Sequence, residues 1–351
     1  MSYYLKKAGR NHVVIDAHER VGDAWRKRWD SLVLFTPNRF NGLPGLRFPG
    51  KPDHFTTKDE MADYLEHYAT EMGIDVRHGT RATRVRKIND EFEVTTNWGT
   101  WRASNVVVAM ADLQEPRIPD FAGDLDPSIN QLHSHHFVNA DQLTEGPVLI
   151  VGLGNSGADI SMDVSRTHDT FVAGTPSAVV PFRIEPWFAR NVLIRIVRFV
   201  GLHVLNRRHP LGKRVIPKAD TKGKPLVRVK PSDLEVATRR IGRIVGTLDG
   251  KPATADGTAI DVDNVIWCTG YRRGFPWVEA GARDHMGRLV HRRGVVADVP
   301  GLYMVGPEFL FAAASDTVTG HQRDARYVVN HLQRRPHMQT QVASADLGQP
   351  A

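Results

Sequence analysis

The run Pro147-Val148-Leu149-Ile150-Val151-Gly152-Leu153-Gly154-Asn155-Ser156-Gly157 decides the fold. Four consecutive branched apolar residues make a strand covered on both faces, the habit of parallel sheets. The strand runs into a Gly-x-Gly-x-x-Gly turn that opens a helical stretch at 155–164. The first glycine permits a tight turn, the second lets backbone approach a pyrophosphate, and the third lets helix and strand pack closely. The helix N-terminus then faces the phosphates. Strand, turn and helix in this order are the context a dinucleotide fingerprint requires, so Gly152, Gly154, Asn155, Ser156 and Gly157 are candidate nucleotide-binding residues, a merely structural turn being the alternative.

Outward from this point, a strand at 170–173 completes a βαβ opening and ends Ala173-Gly174-Thr175-Pro176-Ser177. It lacks the acid that would hold the ribose 2′-hydroxyl of NAD. That favours NADP, although no Arg sits at the strand end either. Recognition of the 2′-phosphate falls to Thr175, Ser177 or a nearby base such as Arg183. Towards the start, residues 3–8 look like a helix end capped by Gly9, followed by the short apolar strand His12-Val13-Val14-Ile15-Asp16. This is the second strand of a βαβ unit without its first. Asp16 stands where a ribose-binding carboxylate belongs, the alternative being an ordinary exposed strand-end Asp.

Met61, Tyr64, Leu65 and Tyr68 fall at helical spacing and predict a helix over 58–72. Short strands at 75–77, 83–85, 92–94 and 105–109 predict α/β structure with a small β-meander. Buried strands at 265–267 and 302–305 and a helix at 323–332 close the chain.

The 351 residues, 41% hydrophobic, suffice for two domains or one large α/β unit. The N-terminus has no leader pattern, and no apolar stretch reaches the ~20 residues that span a bilayer. A cytoplasmic location is the expectation. The one cysteine, Cys268, excludes an intrachain disulfide and a dithiol redox pair. Net charge is +7, concentrated between residues 183 and 243, where 16 Lys/Arg face 4 Asp/Glu and the rest of the chain balances at −5. Such a region suits nucleic acid, anionic lipid or cofactor phosphates, but no nucleic-acid-binding signature accompanies it. Residues 187–205 are apolar with Arg190, Arg195 and Arg198 interspersed. They suit a helix laid over a substrate cavity with its charges outward, or an interfacial helix making peripheral membrane contact.

A resemblance adds to this reading. The run from Asp16 through Glu19-Arg20-Val21-Gly22-Asp23-Ala24-Trp25-Arg26, then Leu34-Phe35-Thr36-Pro37, Leu132-His133-Ser134-His135-His136-Phe137, the glycine fingerprint, Trp267-Cys268-Thr269-Gly270-Tyr271 and Gly301-Leu302-Tyr303-Met304-Val305-Gly306 resemble, in order, the landmarks of flavin-containing monooxygenases. The likeness covers nearly the whole chain. It implies an α/β fold of two Rossmann-like dinucleotide-binding domains: an FAD domain from residues 1–118 and 256–340, an inserted NADP domain at 119–255, and a flexible tail at 341–351. It implies that Asp16 holds the FAD ribose, that Val85 lies by the adenine, and that Trp25 and Arg26 approach the flavin. Thr269, Gly270 and Tyr271 would form a domain crossing beside the nicotinamide nucleotide, and Gly306, Arg323 and Asp324 would pass near the flavin end.

The implied chemistry is NADPH reduction of FAD, addition of O₂ to give a C4a-hydroperoxyflavin, and transfer of one oxygen to a small lipophilic soft nucleophile at N or S. The cofactor carries the difficult step. Asn38 and Asn41 are the candidates for stabilising the oxygenated flavin, with turn formation as their alternative role. A homodimer is a further expectation to be tested. His133 either carries the family's signature or ties a linker; the Phe and Gly positions upstream of it fall on Pro127 and Ile129, and Phe137 in place of Trp points away from Baeyer–Villiger chemistry.

Four departures stand against the pattern. The first FAD-domain strand and its glycine loop are missing; they would lie upstream of Met1, and losing a central strand would cost many kcal/mol against a total stability of ~5–15. The Ala-Thr-Gly turn reads Ala109-Met110-Ala111, the later Gly-x-Gly turn reads Gly320-His321-Gln322, and the strand-end Arg is lacking. Either the start is placed too late, or the chain is a decayed paralogue that binds nucleotide and is inactive or only an NADPH oxidase.

Overall fold

The computed structural model describes residues 1–335, without the side chains of residues 221 and 222; the tail expected at 341–351 lies outside the described residues. The strand Val148–Val151 sits at the centre of a five-stranded, all-parallel sheet. Its order is Asn130–His133, Asn264–Trp267, Val148–Val151, Thr170–Ala173, Arg239–Ile241. The strands Val148–Val151 and Asn264–Trp267 are buried at every position. Alternation splits their side chains between two cores. Val148, Ile150 and Ile266 pack beneath Ala158, Ile160 and Val164 of the helix Asn155–Val164. Leu149, Val151, Val265 and Trp267 face Leu125, Ile129, Ile244 and Ile260 on the other side.

The remaining parallel strands form two separate ladders. Val14–Ile15 pairs with Val76–Arg77, and Val106–Val108 pairs with Leu302–Met304. Among the described residues no strand joins the two. An antiparallel meander of Ala82–Ile88, Glu91–Thr96 and Gly99–Ala103 packs its Val85, Phe92 and Val94 against Phe275, Val278 and Leu302. The helices Ser2–Lys7 and Val318–Leu332 cover Tyr303 and Val305. The last helix starts earlier than its apolar periodicity indicates, because the Thr317 hydroxyl accepts the Gly320 N–H and caps it. The helix Lys58–Glu71 is started by a reciprocal pair, Thr57 accepting from the Glu60 N–H and Glu60 accepting from the Thr57 N–H.

Two of the departures are absorbed. None of Ala109, Met110 and Ala111 has positive φ, so the turn runs without the glycine the pattern asks for. Here Gly306 takes the strained conformation at φ +114°, and a Cβ on it would lie 2.7 Å from the Met110 carbonyl oxygen. At the second site, a Cβ on Gly320 would lie 1.7 Å from the Ala314 carbonyl oxygen, so the glycine serves helix packing. His321 follows it and turns its ring to the Gly306 carbonyl.

Leu149 is buried completely in the sheet core. Leu149→Ala should cost about 2–5 kcal/mol in urea denaturation, the range for a large-to-small core change. A loss under about 0.5 kcal/mol would mean that this sheet is not the stabilising core.

Candidate nucleotide-binding site and domain crossing

The glycine loop is shaped by backbone crowding on one side and open space on the other. Gly152 has φ +105°, and a Cβ there would sit 2.4 Å from the Cys268 carbonyl oxygen; a Cβ on Gly157 would sit 2.0 Å from the Gly152 carbonyl oxygen. A Cβ on Gly154 meets nothing within 4 Å. The first and third glycines are thus forced by packing, while the second faces outward at the start of a helix whose first turn has no side-chain cap. The Asn155 side chain spans to the next segment, donating to the Pro225 carbonyl at 3.0 Å and accepting the Val227 N–H at 3.0 Å. The Ser156 position completes the first turn. This cradle fits a dinucleotide pyrophosphate.

The strand-end base that the sequence lacks comes from the neighbouring strand. Arg240 is in register with Val172, and its guanidinium donates to the Gly174 carbonyl just past the strand end. The other candidates have partners: Arg183 makes a two-point ion pair with Asp233, and the Ser177 hydroxyl bonds the Gly223 and Lys224 carbonyls. Thr175 is exposed beside Gly174. Arg240 and Thr175 are therefore the polar groups that the structure leaves exposed at this strand end.

Behind the loop lies the crossing. Glu115–Pro116 and Tyr271–Arg272 pair antiparallel. Gly270, at φ +80°, has a carbonyl that accepts both the Arg117 N–H at 2.9 Å and His133 Nε2 at 3.0 Å. The Arg117 guanidinium donates to the Thr269 carbonyl, and the Thr269 hydroxyl donates to the Arg117 carbonyl. Tyr271 stacks edge-on with His133 and His135, and its hydroxyl accepts from Arg28 at 3.0 Å. His133 Nδ1 accepts the His135 N–H at 3.0 Å, so the proton sits on Nε2 and the ring is neutral. Burial pulls its pKa down to about 4. Burial also pushes the neighbouring Cys268 thiol up to about 12, which keeps it protonated and unreactive. On the nucleotide helix, burial raises the Asp159 carboxyl to about 6, with Arg228 acting against the rise.

The flavin-side candidates divide. Asp16 accepts the His18 N–H and Nδ1 on one oxygen, each at 2.8 Å, which leaves its second oxygen to a ligand hydroxyl. Around Gly306, His321 Nε2 and Asp316 Oδ1 are buried without a partner, polar atoms that suit an FAD bound along this wall. Asp324 is fully buried, accepts the Ser315 hydroxyl at 2.6 Å and lies 3.4 Å from Arg293, so it braces the wall from behind. Arg26 is committed elsewhere, to the Val21 carbonyl, Asp63 and Glu66, and Trp25 packs with the Tyr64 and Tyr68 cluster. Val85 is core, with both backbone groups bonded to Trp277 and Glu279.

Asn38 and Asn41 are held by structure. Asn38 donates to the Pro49 carbonyl and accepts from Thr56, while Asn41 bonds Thr36 at two points and Thr56. Asn38 also borders a cavity of about 570 Å³ with Phe48, Pro49, His54, Tyr64 and His67. Sequence reading missed Arg28, Arg117 and Arg240; each acts on a carbonyl or hydroxyl remote in sequence, which no local pattern announces.

One glycine-loop cradle, tied by paired crossing strands to a second α/β region that holds Asp16 and Gly306, is the architecture of a pyridine-nucleotide oxidoreductase. The pyridine nucleotide-disulphide oxidoreductase family profile matches residues 1–186. The CzcO-like oxidoreductase of Geobacillus kaustophilus is 34% identical, covering 95% of this chain and 94% of its own. Indole-3-pyruvate monooxygenase YUCCA1 of rice is 27% identical, covering 86% and 82%. The flavin-containing monooxygenase of Stenotrophomonas maltophilia shares the fold at TM-score 0.73 and 24% identity, over 94% and 93% of the two chains. The chain belongs to the pyridine nucleotide-disulphide oxidoreductase family, shares the fold of flavin-containing monooxygenases, and is an oxidoreductase. Among the described residues no helix is long and apolar enough to cross a membrane.

Two outcomes follow from this geometry. Arg240→Ala should weaken NADP⁺ binding roughly tenfold, the loss of one charge-assisted contact, and leave NAD⁺ binding unchanged; equal losses for both nucleotides in a titration would place the 2′-phosphate elsewhere. For His133, the unfolded ring takes its proton near 6.5 and the folded ring resists until about 4. Stability present above pH 6.5 is therefore lost as pH falls through that window. His291, held near 4 by burial, acts in the same direction. His133→Gln should flatten the slope of urea stability against pH between those limits, and an unchanged slope would mean that the ring already titrates normally.

Proposed function

We propose that this chain is an NADPH-dependent flavin monooxygenase that places one oxygen of O₂ on the nitrogen or sulfur of a small lipophilic substrate. In this reading residues 1–118 and the chain after the crossing at 269–272 carry the FAD, and residues 119–268 the NADPH; the boundary expected at 255 moves because Asn264–Trp267 pairs with Val148–Val151 inside the nucleotide sheet. The observation that carries the proposal is the state of Cys268. In a family described by disulphide reduction, this chain has one cysteine, half-buried and with its thiol held protonated, so reducing equivalents have no dithiol to reach. Molecular oxygen is then the acceptor that the bound flavin activates.

The chain's own residues have three tasks in this reading. Gly154, the first turn of the helix Asn155–Val164 and Arg240 bind and orient NADPH. The His133, Gly270 and Tyr271 crossing fixes how the two nucleotide regions meet. The apolar packing around Leu34, Trp25 and Tyr64 keeps water from that side. The rice relative is named for a 2-oxo acid substrate; an N or S nucleophile is preferred here because the cavity beside Asn38 combines aromatic walls with His and acidic groups at its edge.

The test is NADPH oxidation in air by the FAD-loaded protein with a panel of thioethers, tertiary amines and 2-oxo acids, measuring oxygenated product against hydrogen peroxide. Sulfoxide or N-oxide matching the NADPH consumed supports the proposal. Consumption recovered entirely as peroxide with every substrate would make the chain an NADPH oxidase, and decarboxylation of the 2-oxo acids alone would replace the substrate class.

A further inference from the structure

Residues 187–219 hold eight Lys/Arg and no Asp or Glu. If the segment were a lid with its charges outward, the arginines would point to water and the apolar groups inward. The structure places two of the three helix arginines the other way. Arg190 reaches the Asp53 carbonyl at 3.4 Å and lies 3.8 Å from the Asp53 carboxylate. Arg198 donates to the Thr319 hydroxyl at 2.8 Å and stacks 4.0 Å over Phe40. Between them Asn191 accepts from Arg39 at 2.6 Å. The inner side of the segment is thus tied to the body by polar contacts, with Ala189, Ile194 and Ile216 as its buried apolar members.

The outer side carries what an inner side normally carries. Trp187 is 68% exposed, Phe188 56%, Ile196 53% and Phe199 60%. Arg195 and His203 are exposed with them. The stripe Ile196, Phe199, His203 follows helical spacing across the helix Ile194–Phe199 and the π-helical turn Val200–Val204. The following helix, Pro210–Lys222, repeats the mixture, with Leu211 and Val215 exposed alongside Lys213, Arg214 and Lys218. The base at the nucleotide strand end, Arg240, and the Arg228 that reaches the Val33 carbonyl belong to other segments. Cofactor phosphates therefore do not account for this face.

We infer that the outer face of residues 187–218 docks the protein on an anionic lipid surface, its aromatic and aliphatic side chains entering the headgroup region and its lysines and arginines meeting lipid phosphates. Trp and Phe with interleaved cations form the composition that lies in an interface, and each base near an anionic surface adds to the attraction. Charge selects this occupant over a second copy of the chain, because an isologous contact would set the same acid-free basic face against itself. The same docking would bring a lipophilic substrate from the bilayer to the enzyme.

The experiment is co-sedimentation of the full chain with vesicles of phosphatidylcholine alone and of phosphatidylcholine with phosphatidylglycerol. Binding should be confined to the anionic vesicles and released by added salt. Trp187→Ser/Phe188→Ser/Phe199→Ser and Arg195→Glu/Arg214→Glu should each weaken it at least tenfold while leaving NADP⁺ affinity unchanged, which shows that the variants fold. No sedimentation with either vesicle, equal binding to both, or variants that bind as the parent does would overturn the inference. So would a dimer that the triple serine variant dissociates in the absence of any lipid binding, which would assign the face to a second copy.

Discussion

The chemistry depends on the carbonyl of Gly270. Held at φ +80°, it receives Arg117 from one crossing strand and His133 from the end of the parallel sheet. A single acceptor thereby fixes the angle at which the two halves of the chain meet. Tyr271 extends the tie to Arg28, in the segment that follows Asp16 and the short helix Asp23–Arg26. Neutral His133 suits this task, since a charged imidazole buried among Arg28, His135 and His136 would be repelled by each of them. Moving an electron pair between two bound nucleotides requires their relative placement to be fixed within fractions of an ångström, so a rigid crossing comes before any catalytic group.

A second tie runs parallel to the first and uses charge. Lys224 bridges Asp316 and Glu308; Glu308 meets Arg273, which with Arg288 shares Asp220. Burial works against the charge on Lys224, yet the two carboxylates hold its pKa above its ordinary value. The network joins the segment after the helix Pro210–Lys222 to the wall around Gly306, where Asp316 and His321 keep polar atoms available. Hydrogen bonds at one end and ion pairs at the other leave little freedom between the halves.

What the sequence disclosed follows the range of the interaction. The strand Val148–Val151, the glycine turn and the helix Asn155–Val164 were legible because their causes are local: β-branched residues, positive φ and helix packing within a dozen positions. The place of Asp16 just past the strand Val14–Ile15 was legible too. Arg240 was not, because its partner at Gly174 is set by strand register across a sheet. The roles suggested for Asn38 and Asn41 rested on residue type alone, and only the structure shows their amides engaged with Thr36, Pro49 and Thr56. Arg190 and Arg198 of the basic helix lie opposite to the outward placement expected, since composition cannot say which side of a helix faces Phe40 and Asp53.

The most direct measurement is anaerobic addition of NADPH to the FAD-loaded protein, with the flavin absorbance followed in time. A chain built as two nucleotide sites locked across Gly270 should bleach its flavin with one equivalent of NADPH, and Gly157→Ala, whose added methyl would collide with the Gly152 carbonyl, should bind FAD but fail to bleach it. A flavin that stays oxidised under excess NADPH, or a protein that binds NADPH while refusing FAD, would contradict the two-nucleotide arrangement.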